Sequence, residues 1–439
     1  IKNAGADVKL EPLLDSPLRS PDLQKQIDRL TQTPRSSGND VRILGSGVQS
    51  FDVRYRLMAA ARRSINLQTY IFRDDETGRR TADLLRQKAR EGVDVRVIVD
   101  GVGSQETSSK LFDDMRADGV QVRQFKPLGG LQRMNSRWHQ KFLTVDDGAM
   151  VTGGMNVGSE YALYGTGYVD LSKGPNATSA CWMRDTDVVA TGPVVVDAVR
   201  AFVGSWALSG GDSMAMPSQP AAPPARIDGP TALPFRLLRS TNDPVAGVET
   251  RLLVHRPYED ADTRIEDWYV AMLDNAKSTA YISNAYFVPT ERVTRALARA
   301  ASRGVDVRVL TNSPNTTDAP LPLPQWAGRS SYEELLKAGV RIYETQDTSK
   351  VLRHLHKKTA VFDGVSSTVG SYNLDPRSAE LNSEDTLVVE SPDLGAQMNQ
   401  MFAGDLKQSR EIILETLHNG TLYDRLQEWF YGHVVREHL

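Results

Sequence analysis

A histidine, a lysine two residues on and an aspartate five after that stand at His139, Lys141 and Asp146, and the same spacing returns at His356, Lys358 and Asp363. Seventeen residues beyond each histidine comes an asparagine: Asn156 in Gly153-Gly154-Met155-Asn156 and Asn373 in Gly370-Ser371-Tyr372-Asn373. A phosphodiester resists attack because its anionic oxygens repel nucleophiles and its alkoxide leaves poorly. Two imidazoles, two ammonium groups and two amides supply what such a bond demands: a nucleophile, an acid and local positive charge. One imidazole would attack phosphorus to give a phosphohistidine. The other would protonate the departing alcohol and then deprotonate the incoming one. The catalytic candidates are therefore His139, Lys141, His356 and Lys358, with Asn156 and Asn373 as phosphate-binding donors; the set calls for no cofactor and no metal.

An imidazole used in this way needs its second nitrogen oriented, a task that usually falls to a carboxylate. Asp185 and Glu384 open corresponding strands, Asp185-Thr186-Asp187-Val188-Val189 and Glu384-Asp385-Thr386-Leu387-Val388-Val389, and are the candidates for orienting the histidines, with Asp187 a weaker rival in the first position. Asp146 and Asp363 lie beyond an apolar run with Gly next or nearly next. They are expected to fix turns and to play a structural part.

The elements that must carry these residues are duplicated as well. Glu91 to Ile98 is echoed by Arg303 to Leu310 with six of eight residues identical, and Ser64 to Phe72 is answered by Thr279 to Phe287. Thr81 to Gly92 and Glu291 to Gly304 have helical spacing and end at Gly, and each runs directly into a β-branched stretch. Each half thus reads as alternating strands and helices, which predicts an α/β fold: two homologous α/β/α sandwich halves with mostly parallel sheets. A pseudo-twofold would bring the two motif strands together at one interface and assemble one active site there. Period two places each His and its Lys on one strand face. Neither half should then work alone, and a monomer suffices for one site.

The chain has 439 residues. The expected organisation is an irregular N-terminal arm (1–40), a first half (41–209), a Pro-rich linker (210–235) and a second half with C-terminal helices (236–439). No window approaches the ~20 apolar residues of a membrane span, and the start at Ile1 suggests that an upstream leader or anchor has been removed. Cys181 is the single cysteine, which excludes an internal disulfide and a cysteine-based zinc site. A net charge of −3 disfavours nucleic acid as a partner, although Arg133, Arg137, Lys141, Arg353, Lys357 and Lys358 could still form a local basic cleft.

The paired segments resemble the phospholipase D superfamily over residues 41 to 405. Gly370-Ser371-Tyr372-Asn373-Leu374-Asp375-Pro376-Arg377-Ser378, followed by Leu381-Asn382-Ser383-Glu384, is similar to the bacterial cardiolipin synthases, especially their C type, and Tyr286-Phe287-Val288-Pro289 fits too. The resemblance implies phosphatidyl transfer between phospholipids through a phosphohistidine, giving cardiolipin from phosphatidylglycerol with phosphatidylglycerol or phosphatidylethanolamine. It also implies His139 as nucleophile, with His356 as acid and base. The implied partners are phospholipid substrates and a membrane surface, touched peripherally at the inner membrane of a bacterial cell envelope. A hydrolytic phospholipase D releasing phosphatidic acid is the alternative. A phosphodiesterase for nucleic acid and a non-enzymatic lipid-binding scaffold are the rivals from other classes; the acidic total charge tells against the first and two intact motifs against the second.

Among the remaining residues, His354 has no counterpart in the first half and reads as a neighbour of the site or a surface group. Arg377 and Ser378 either bind a lipid phosphate or bury an ion pair. Leu422, Leu426, Trp429, Phe430 and Val434 form an apolar stripe that reads as core packing.

Overall fold

A computed structural model describes residues 7–125, 135–162, 182–223, 242–257, 262–317, 322–346, 353–418, 427, 430 and 431. The first half contributes β1 (Ser36–Leu44), β2 (Ser64–Thr69), β3 (Asp94–Asp100), β4 (Gln121–Phe125), β5 (Phe142–Val145), β6 (Ala149–Gly153), β7 (Trp182–Arg184) and β8 (Asp187–Thr191). The second contributes β9 (Val245–His255), β10 (Thr279–Asn284), β11 (Asp306–Thr311), β12 (Arg341–Thr345), β13 (Arg353–Leu355), β14 (Lys358–Phe362), β15 (Ser366–Gly370), β16 (Glu384–Glu390) and β17 (Ser409–Ile412).

Among the described residues, fifteen of these strands form one continuous sheet in the order β17-β12-β11-β10-β14-β15-β16-β9-β1-β8-β6-β5-β2-β3-β4. Read outward from the β9–β1 seam, each half repeats the other strand for strand, with β17 as an addition. The sheet is mixed, which corrects the expectation of mostly parallel strands. Only β2-β3-β4 and β10-β11-β12 run parallel, because helices such as Glu76–Arg90 and Glu291–Ser302 return the chain to the same end. The motif strands have no crossover helix. β5 turns straight into β6, and β14 into β15, as antiparallel pairs.

Left-handed backbone makes those tight turns. Asp146 and Asp147 have φ of 52° and 54°, and Asp363 and Gly364 have 52° and 66°. Asp146 carboxylate oxygens accept from the backbone N–H groups of Arg62, Arg63 and Ser64 at 2.7–2.9 Å. Asp363 does the same for Lys277, Ser278 and Thr279 and also accepts from Ser16 Oγ at 2.6 Å.

Each half has its own apolar cluster, and a third is shared across the seam, where Val41, Trp138 and Phe142 meet Val361, Leu387 and Val389. The N-terminal segment is not irregular throughout. Residues Pro21–Thr31 form a helix whose Ile27 is buried with Leu18 in the core of the second half. An amphipathic helix of this length needs only a few apolar residues on its inner face, and the polar remainder hid it. Part of the Pro-rich segment, residues 212–223, lies against the first half, where Ala221 N donates to Asp147 O at 2.9 Å. Arg133, Cys181 and most of the C-terminal apolar stripe lie outside the described residues.

Candidate active site

Each motif histidine is set by contacts from both halves. Within its own half, the N–H of the residue before it is tied to a repeat-related polar side chain at the end of the third sheet strand: Trp138 N donates to Asp100 Oδ2 at 2.7 Å and Leu355 N to Asn312 Oδ1 at 3.0 Å. From the opposite half comes a backbone partner. His139 N donates to Ser383 O and Ser383 N to Arg137 O, each at 2.9 Å. His356 N donates to Arg184 O at 2.9 Å, beside the short parallel sheet of β7 and β13.

This pairing carries the carboxylates across the seam. His139 Nδ1 lies 2.8 Å from Glu384 Oε2, and His356 Nδ1 lies 2.6 Å from Asp185 Oδ2. Each imidazole of one half is therefore oriented by a carboxylate of the other, which turns its Nε2 away toward the cleft. The rings are also flanked by aromatic edges, Tyr70 against His139 at 5.1 Å and Tyr161 against His356 at 5.3 Å between centroids. Asp187, the rival to Asp185, is taken up by Arg54 at 2.7 Å and by Ser50.

The two dyads differ in their surroundings. Glu384 receives hydrogen bonds from Ser371 Oγ at 2.5 Å and Ser378 Oγ at 2.8 Å. Burial opposes its ionisation, yet His139, the Lys141 charge and the Ser371 hydroxyl hold its carboxyl below the ordinary value. Among the described residues Asp185 accepts Thr186 N at 2.7 Å besides its histidine, and burial raises it to about 6. Burial also lowers His139 to about 4, so at neutral pH a neutral imidazole donates Nδ1–H to an ionised Glu384.

Lys141 Nζ donates to His139 O at 2.6 Å and Lys358 Nζ to His356 O at 2.5 Å, so each lysine folds back on its own motif. Lys358 Nζ also stands 3.0 Å from His356 Nδ1, a contact without a counterpart at Lys141 among the described hydrogen bonds. Burial pushes Lys141 down and the neighbouring Asp385 up. Asp385 accepts Lys141 N at 2.8 Å and Thr152 Oγ1 at 2.5 Å, and so fixes the backbone of the motif.

The Oδ1 of Asn156 accepts Ile71 N at 3.0 Å while its Nδ2 donates to Tyr161 Oη at 2.8 Å. Asn373 is buried with its Oδ1 unpartnered among the described residues. Both asparagines line a cleft of about 480 Å³, together with His139, His356, Tyr70 and Tyr161. Asp146 and Asp363 lie at the far ends of their strands, in the turns.

Of the expected basic residues, Arg137 lines the cleft, whereas Lys357, between β13 and β14, pairs with Asp405 at 2.6 Å. His354 is fully buried and its Nδ1 faces Thr316 O at 2.9 Å, beneath the loop that follows β11. Among the described residues no cluster of His, Cys, Asp and Glu could hold a metal ion, and no helix is long and apolar enough to cross a membrane.

The family model described as "Cardiolipin synthase, PLD-like domain" matches residues 55–163 and 269–406, which include both motifs. The chain belongs to this phospholipase D-like family. It is 30% identical over 405 residues to a cardiolipin synthase of Halalkalibacterium halodurans, covering 91% of this chain and 72% of that one. It is 31% identical over 398 residues to cardiolipin synthase A of Pseudomonas syringae pv. syringae, covering 90% and 74%. In fold it is similar to the phosphatidylserine synthase of Haemophilus influenzae, with a TM-score of 0.67 at 13% identity over 95% of this chain and 100% of that one.

For a cardiolipin synthase-like chain, several cleft and supporting residues were unmarked by motif spacing. Tyr70 and Tyr161 flank the histidines, and Asp100, Asn312 and Asp385 hold the motif backbones. Asp100 and Asn312 could have been found by extending the 212-residue offset of the Asp94 and Asp306 segments to the strand ends. Tyr161 has no such signal.

Proposed function

We propose that this protein is a phosphatidyltransferase that makes cardiolipin from phospholipids. The observation that carries the reading is the pair of crossed histidine–carboxylate dyads opening on one cleft, in a chain of the cardiolipin synthase family. His139 Nε2 attacks the phosphorus of a donor phosphatidylglycerol or phosphatidylethanolamine. The bond from phosphorus to the head-group oxygen breaks as His356 protonates that oxygen, and glycerol or ethanolamine leaves. His356 then takes the proton from the head-group hydroxyl of a second phosphatidylglycerol, whose oxygen displaces His139 from phosphorus. Lys141, Lys358, Asn156 and Asn373 offset the charge on the non-bridging oxygens, and Asp185 and Glu384 orient the imidazoles.

Two features support His139 as the nucleophile: its imidazole is held neutral, and the ionised Glu384 beside it would stabilise the positive ring formed on attack. One chain completes one site, so a monomer can act. The protein would work peripherally on the inner membrane of a bacterial envelope, with residues 41–209 and 236–439 as its two halves.

The test is mass spectrometry of lipids after incubating purified protein with phosphatidylglycerol vesicles, with and without phosphatidylethanolamine. Cardiolipin is the expected product. Phosphatidic acid alone would make the protein a hydrolase, and unchanged lipid would overturn the reading.

A further inference from the structure

The reacting phosphorus, its lysines and its asparagines account for one phosphate, yet the cleft contains two further cations. Arg137 and Arg377 come from opposite halves and line the same cleft as His139 and His356. Arg377 Nη1 and Nη2 donate to Asn135 Oδ1 at 3.1 Å and Asn135 O at 2.8 Å, both neutral acceptors. Asn135 stands two residues before Arg137, so this contact brings the two guanidinium groups to one wall. Arg137 Nη1 donates to Ser136 O at 2.8 Å, and the side chain also reaches Tyr70, whose ring edges His139.

Two like charges in a partly buried wall are costly unless an anion joins them. Burial and the neighbouring Arg137 disfavour the charge on Arg377, while Asp375 and Glu384 favour it, and Asp100 feels Arg137. Of these carboxylates Glu384 is taken up by His139, Asp100 accepts Trp138 N, and Asp375, raised to about 7 by burial, accepts Ser378 N at 2.7 Å as the cap of the helix Pro376–Glu380. No ion pair of Arg377 with a carboxylate occurs among the described residues.

We propose that Arg137 and Arg377 form the site for the phosphodiester anion of the acceptor lipid, in the cleft where the phosphohistidine would form. The inference rests on the transferase reading and names what selects the acceptor. Water and free glycerol carry no such anion, whereas phosphatidylglycerol presents its hydroxyl on a glycerol tethered to one. Guanidinium forks suit that group because they offer paired donors to two phosphate oxygens. Binding there would place the acceptor hydroxyl within reach of His356, so discrimination would arise from positioning rather than from a closed door against water.

The experiment uses the full chain with acyl-labelled phosphatidylethanolamine as donor. One arm supplies phosphatidylglycerol as acceptor and reads labelled cardiolipin. The other supplies free glycerol, with phosphatidic acid keeping the surface charge equal, and reads labelled phosphatidylglycerol at early times. In Arg137→Gln and Arg377→Gln the ratio of the first rate to the second should fall at least about tenfold, the loss expected for one charge-assisted hydrogen-bonded contact. Arg377→Lys should recover part of that ratio.

An unchanged ratio in both glutamine variants would overturn the proposal, including the case in which both rates fall together, which would place the arginines on the donor or on the scaffold. Should Arg377→Gln fail to fold, Arg137→Gln decides alone. A wild-type protein that forms neither labelled product would instead sink the transferase reading itself.

Discussion

Ser371 Oγ donates to Glu384 Oε2 at 2.5 Å, while at Gly154, its counterpart in the first half, a Cβ would come within 2.4 Å of Asp185 Oδ1. The difference between Gly154 and Ser371 thus has a steric reason. Glu384 accepts a hydroxyl at that place, whereas Asp185 fills the space that a side chain would take.

Replacing that glycine should injure catalysis through His356. In Gly154→Ala the methyl group would meet both oxygens and the carbon of the buried Asp185 carboxylate within 2.7 Å, and Asp185 must leave its histidine. We expect kcat to fall about 10²-fold or more, the span of one general acid–base contribution. Ser371→Ala removes one donor and should cost only about tenfold. Steady-state kinetics on both variants, with circular dichroism to verify folding, checks the order; equal losses would contradict it.

The crossed dyads can be separated with a donor that needs no acid, a phosphatidyl p-nitrophenol. His356→Ala and Asp185→Asn should still release p-nitrophenol in one burst and accumulate an acid-labile phosphatidyl-protein. His139→Ala and Glu384→Ala should give no burst. The opposite pattern would make His356 the nucleophile.

Activity should decline on the acid side. Asp185, raised to about 6, is ionised above that pH and protonated below it, whereas His139, lowered to about 4, stays neutral throughout. The value of kcat/KM is therefore expected to drop as pH falls through about 6. Lys141, pushed down by burial, sets a loss on the alkaline side as its proton leaves, one that substrate phosphate would relieve in kcat. An acid limb near 4 that is unaltered in Asp185→Asn would exclude Asp185 as its source.

Stability should depend on the motif aspartates more than activity does. Asp363→Ala leaves three backbone N–H groups and Ser16 without their acceptor; two of these donors, Thr279 N and Ser16 Oγ, are in buried bonds, and at about 1–3 kcal/mol for each buried group left unsatisfied the cost is about 2–6 kcal/mol. At roughly 2–4 °C per kcal/mol, Tm should fall by several degrees. Asp146→Ala, whose partners are more exposed, should fall less. Calorimetry compares them directly.

Activity should also persist in chelator, because every group in the proposed reaction is a side chain. Loss in EDTA that returns with an added divalent ion would defeat that expectation.

The chemistry was more legible in the chain than the geometry that connects it. Spacing alone singled out His139, Lys141, Asn156 and their counterparts, and position at a strand start singled out Asp185 and Glu384, since these are local patterns. That Glu384 serves His139 and Asp185 serves His356 is a tertiary fact, made by the pairing of Trp138 with Ser383 and of Leu355 with Arg184, which no periodicity encodes. Lys357 looked like part of a basic cleft by composition, but from the link between β13 and β14 it pairs with Asp405. A thin apolar face hid the helix Pro21–Thr31. The turns at Asp146 and Asp363 were legible, but they also make β5–β6 and β14–β15 antiparallel pairs, which the expectation of mostly parallel strands left out.

The carboxylate for His139 lies 245 residues further along the chain, and the histidine for Asp185 lies 171 residues beyond it. In each dyad one member therefore leaves the ribosome long before its mate. A product that ends before Glu384 holds His139 with no orienting partner, whatever else of the first half has folded. The crossing of the dyads ties completion of the site to synthesis of both halves.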